Sequence, residues 1–102
     1  MTDIEETSSG PAADPVAEAI LGMLALLPEG EELKPETVAR ALQAARARKN
    51  DKPDAWRRFL LPVRQQAIHL ARIGRIEIMR KGEVADPDDF KGLWRMRLKS
   101  GD

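Results

Sequence analysis

The feature that most restricts what this chain can fold into is a change of apolar period at Gly74. Before it, Leu60, Val63, Ala67, Leu70 and Ala71 recur at helical spacing. After it, Ile76 and Ile78 alternate with Arg75, Glu77 and Met79, the two-residue period of a half-buried strand. Glycine at such a boundary is the residue that closes a helix in the left-handed conformation. A second alternating segment, Trp94-Arg95-Met96-Arg97-Leu98, supplies a partner strand. A helix that runs directly into a hairpin points to a mixed architecture, with helices first and a small antiparallel sheet last.

Two further helices are legible upstream. Asp14-Pro15 reads as an N-cap followed by proline at the first helical position. Val16, Ile20, Met23, Leu24 and Leu27 then predict a helix over about residues 15–27, stopped by Pro28-Glu29-Gly30. Pro35 opens a second helix, with Val38, Leu42 and Ala45 on its buried line, running to about residue 47. Between these two, Glu32-Leu33-Lys34 is read as a very short strand. A third helical region extends from Pro53 to Ile73, and Pro62 within it predicts a kink or break near Leu60-Leu61. The reason is that proline removes a helical hydrogen bond and its ring collides with the preceding turn. Between the strands, Asp86-Pro87-Asp88-Asp89-Phe90 reads as a single capped turn. Met1 to Ala13 has no periodicity and is read as a disordered acidic tail, leaving one domain over 15–99.

Three helices followed by a two-stranded antiparallel wing, or a three-stranded one with the short segment added, is the order of a winged helix-turn-helix. The expected class is α+β, mainly α. Specific residues carry a family resemblance on top of this order. Leu33-Lys34-Pro35-Glu36-Thr37-Val38-Ala39-Arg40-Ala41-Leu42 resembles a pattern in which proline opens the second helix before a Val-Ala-Arg-Ala-Leu run. Trp56, Leu61-Pro62-Val63-Arg64, Gly74-Arg75-Ile76, Lys81-Gly82, Asp86-Pro87, Gly92 and Arg95-Met96-Arg97 continue it. Together they resemble a bacterial domain-of-unknown-function family, number three-two-five-three, over roughly Pro15 to Leu98. The family usually has Cys-Pro-Ser-Glu where this chain has Lys34-Pro35-Glu36-Thr37. The resemblance implies a winged-helix-like fold and supplies no catalytic or binding residues.

Composition argues against enzymatic chemistry. The chain has no cysteine and no tyrosine, and His69 is its only histidine, with no acid near it in sequence to orient it. Asp86-Pro87-Asp88-Asp89 lacks the glycine and terminal glutamate of a calcium loop, and no phosphate-cradling glycine motif is present. The expectation is therefore no enzyme, no cofactor, no metal and no evident small-molecule ligand. Met1 to Asp14 has no apolar centre, and the run Ala19 to Leu27 is too short to span a bilayer, so a cytoplasmic protein without membrane contact is expected.

Charge is what points to a function. The formal net charge is zero, but it is unevenly spread. Residues 1–39 hold nine acids and one base, Lys34, whereas 40–75 hold ten bases against Asp51 and Asp54. Such a basic stretch can meet phosphates; it can equally neutralise the acidic half across the fold. On the third helix, Gln65, His69 and Arg72 fall on one side, opposite Ala67, where they could meet base edges. Arg58, Arg80 and Lys81 are the expected phosphate contacts. Three carboxylates, Asp86, Asp88 and Asp89, would repel DNA if a long wing tip docked, so the base of the hairpin is the better contact. Arg40 and Arg64 are read as structural, and Trp56 and Trp94 as core. The expected function is double-stranded DNA binding, in a transcription-related regulator. The alternative is a protein-interaction module, or a homodimer, joined through whichever of Leu61, Ile68 and Ile73 stay exposed.

Overall fold

The computed structural model describes residues 14–47 and 49–99, so the expected acidic tail over 1–13 lies outside the described residues. The elements are α1 (Pro15–Ala25), α2 (Pro35–Ala45), a 3-10 turn (Ala55–Phe59), α3 (Leu60–Arg72), β1 (Ile76–Arg80), β2 (Glu83–Ala85) and β3 (Arg95–Leu98). Three helices followed by an antiparallel sheet is the winged-helix order.

Local chemistry fixes the element boundaries. The Asp14 carboxylate accepts hydrogen bonds from the N–H groups of Val16, at 2.7 Å, and Ala17, at 3.2 Å, satisfying two orphan donors at the start of α1. Pro15 and Pro35 each sit at a helix start, where the missing N–H costs nothing. Pro62 resolves as a break: the chain turns as a 3-10 segment to Phe59 and becomes α-helical at Leu60. That places Pro62 in the first turn of α3, where its N–H would have had no helical partner. α3 ends in a paired cap, with the Arg75 N–H donating to the Leu70 carbonyl and the Gly74 N–H to the Ala71 carbonyl. Gly74 takes the left-handed conformation that this cap requires, at φ +80°.

The sheet order is β2-β1-β3, with both pairings antiparallel. β1 and β2 are joined by the two residues Lys81-Gly82, both with positive φ (52° and 82°). This is the backbone that a tight type I′ hairpin needs. Leu33 forms an isolated bridge with Met96, exchanging hydrogen bonds of 2.7 and 2.8 Å. The expected strand over 32–34 is thus a single bridge, and the third strand of the sheet is Glu83–Ala85 instead. Glu77 and Arg97 stand opposite one another on β1 and β3 and form an ion pair at 2.6 Å.

One core joins the layers. Ile20 and Leu24 of α1, Val38 and Leu42 of α2, Val63, Ala67 and Leu70 of α3, and Ile76, Ile78 and Met96 of the sheet are all buried in it. Phe59 and Phe90 complete it, while Trp56 and Trp94 are only partly buried against it. Ala45, expected on the buried line of α2, is exposed. Met79, expected on the wet face of β1, is 2% exposed; on the central strand it stands in register between Val84 of β2 and Arg95 of β3.

Candidate nucleic-acid interface

The cations of the central region are organised by aromatic rings rather than by carboxylates. The guanidinium of Arg40 lies 4.2 Å from the centre of the Trp56 ring, and that of Arg57 lies 5.1 Å from the same ring. Arg46 and Arg58 approach the Phe59 ring, at 5.7 and 5.2 Å. An Arg–ring contact is worth about 0.5–1 kcal/mol at an exposed site. Unlike a salt bridge, it leaves the positive charge intact. Arg40 is also paired to Glu36, at 2.7 Å and one helical turn away. Arg46, Arg57 and Arg58 form no ion pair among the described residues, and all three are exposed. Residues 46–58 contain six bases against two acids, Asp51 and Asp54, and Asp51 accepts a 2.6 Å hydrogen bond from the Gln43 amide. The turn between α2 and α3 is therefore a cationic knuckle, with Arg46, Arg57 and Arg58 set against two rings of the 3-10 turn.

Residues singled out from the sequence divide into two groups. Arg58, Gln65 and Lys81 are exposed and make no side-chain hydrogen bond or ion pair among the described residues. The other three are engaged or shielded. The Arg72 guanidinium forms a salt bridge with Asp88, its Nε donating at 2.7 Å. Arg80 donates from Nη1 to the Leu93 carbonyl at 2.6 Å, and its guanidinium packs close against Gly92. His69 is half-buried, and its Nε2 is shielded from solvent without a hydrogen-bond partner. α3 does carry Gln65, His69 and Arg72 together, but only Gln65 stands open to a groove.

The acidic loop is not at the wing tip. The tip is Lys81-Gly82, and Asp86 to Trp94 instead folds back along α3. Arg64 fastens this return: its Nη2 donates to the Phe90 carbonyl at 3.1 Å, and its guanidinium lies 4.1 Å from the Phe90 ring centre. Phe90 meets Trp94 edge to face, with centroids 5.4 Å apart. Arg40 and Arg64 thus hold the structural positions expected of them. The aromatic partner of each arginine was not anticipated from the sequence. A signal was there, since Trp56-Arg57-Arg58-Phe59 interleaves rings and cations directly.

Among the described residues no helix is long and apolar enough to cross a membrane, and no group of three or more potential metal-binding side chains is present. The model of a family described as "Protein of unknown function (DUF3253)" matches residues 13–99. Among curated proteins none matches the chain.

Proposed function

The chain belongs to the DUF3253 family, whose description assigns no activity, and we propose from its own surface chemistry that it binds double-stranded DNA. The observation that carries this reading is the cationic knuckle: Arg46, Arg57 and Arg58, ring-mounted and without carboxylate partners among the described residues. Phosphate oxygens are the natural complement of guanidinium groups held this way. Lys49 and Lys52 are exposed in the same turn between α2 and α3, and Lys81 at the tip of the wing offers a contact on the neighbouring backbone. Gln65 on α3 is the candidate for a base edge, most simply adenine, which pairs two-fold with an amide side chain. A role in transcription follows only if the binding is sequence-selective. The test is fluorescence anisotropy with random duplex DNA over a salt series. Non-specific binding is expected at a Kd of about 10⁻⁴–10⁻⁶ M, weakening steeply with salt.

On this reading the Arg72–Asp88 pair is a competitor. Both side chains are more than half exposed (59% and 56%), so the pair itself adds only ~0.2–1 kcal/mol to stability. It nevertheless occupies a cation that phosphate would use. Asp88→Asn is expected to tighten duplex binding by roughly 3- to 10-fold, the scale of one added phosphate contact. Asp89→Asn removes the same charge without freeing Arg72, so its effect should be clearly smaller. Equal gains from the two variants would mean that only net charge matters.

The protein-interaction reading retains one specific support, the exposed leucines Leu61 and Leu93 that flank a single apolar groove.

A further inference from the structure

Between the start of α2, the 3-10 turn, the first turn of α3 and the loop before β3 lies a groove of about 530 Å³. Its walls are Trp56, Leu60, Leu61, Leu93 and Trp94. Leu61 is 61% exposed and Leu93 90%, so apolar surface stands open at its mouth. Three cations line it as well, Lys34, Arg64 and Arg95, against one carboxylate, Glu36, which Arg40 already holds. The volume lies within the range of about 300–1,000 Å³ in which proteins seat compact groups. The complement of this groove is a bulky apolar side chain with acids on either side of it.

This chain contains such a segment outside the described residues. Asp3-Ile4-Glu5-Glu6 sets one isoleucine among three carboxylates, and residues 1–13 contain no base. A second copy of the folded domain is a poorer occupant, since a stable interface needs ~800 Å² from each partner. Of the six large exposed apolar side chains among the described residues, only Leu61 and Leu93 belong to the groove. A short strand of chain with one anchor is the better match in size. The ten residues from Ile4 to Asp14 span at most about 33–36 Å when fully extended, longer than the shortest dimension of the molecule, 27 Å. Tethering also gives an effective concentration on the order of mM, so even a weak contact is substantially occupied.

We propose that the acidic segment around Ile4 docks in this groove, Ile4 against Trp56, Leu61 and Trp94, its carboxylates facing Lys34, Arg64 and Arg95. The inference does not depend on DNA binding, and its test uses no DNA.

The full chain suits a direct experiment, because it has no cysteine and both of its tryptophans line the groove. Ser8→Cys provides a single attachment point for a nitroxide, and the two indole N–H signals report its proximity in an NMR spectrum. With the label oxidised, both signals should lose more than half of the intensity seen with it reduced. Adding Ile4→Asp should restore most of that intensity, as should Leu61→Asp, a change at an exposed position that leaves the core intact. Dilution should leave the loss unchanged. Undiminished indole signals, or a loss that survives Ile4→Asp, would overturn the proposal. A loss that disappears on dilution would also overturn it, by placing the segment on a second copy of the chain.

Discussion

Replacing Phe90 by alanine should cost about 3–5 kcal/mol of folding stability, the range for deleting a buried aromatic ring. The ring is 6% exposed, stacked under Arg64 and set edge to face against Trp94. Removing it leaves a cavity and takes away the aromatic face over which the Arg64 guanidinium lies. Against a typical stability of about 5–15 kcal/mol, the cost is a large fraction of the total. Urea unfolding should show a markedly lower midpoint with an unchanged slope, since the same surface is still exposed on unfolding. A decrease below ~1 kcal/mol would mean that the loop after β2 is peripheral rather than part of the core.

The contrast between Phe90 and Gly74 explains how much of this protein its sequence discloses. The helix-to-strand junction is written locally. Period, glycine and the Asp14-Pro15 cap each act within a few residues, so the three helices, the break at Pro62 and the central strand could all be anticipated. What escaped is long-range. β2 has three residues, Glu83-Val84-Ala85, too few to display a period, and it exists because Lys81-Gly82 turns the chain back onto β1. That turn takes Asp86, Asp88 and Asp89 away from the wing tip and sets Asp88 against Arg72 of α3, something no local pattern specifies. The candidate site divides along the same line. Projection of α3 places Gln65, His69 and Arg72 together, but the partner of Arg72 comes from 16 residues further along the chain. The shielding of His69 Nε2 depends likewise on the folded surroundings.

The largest functional effect is expected from the knuckle. Changing Arg46, Arg57 and Arg58 together to glutamine should weaken duplex DNA binding by roughly 10- to 100-fold near physiological salt, because three cations no longer meet the phosphate backbone. The slope of log K against log salt should become shallower by about 2.7, at ~0.9 per neutralised phosphate on B-DNA. The fold should survive, because these side chains lie on the outside of Trp56 and Phe59, and each cation–ring interaction contributes only about 0.5–1 kcal/mol. A circular dichroism melt of the triple variant separates weakened binding from damaged structure. Arg97→Gln is the matched control: its guanidinium is already committed to Glu77 across the sheet, so it should leave the salt slope unchanged.

Ring-mounted arginines without carboxylate partners should meet a phosphate backbone, and the salt dependence of binding to random duplex DNA reads out that contact. Arg46, Lys49, Lys52, Arg57, Arg58 and Lys81, each on one phosphate, together predict a slope of about −5. No binding by the folded protein at low salt, or binding whose slope is near zero, would contradict it.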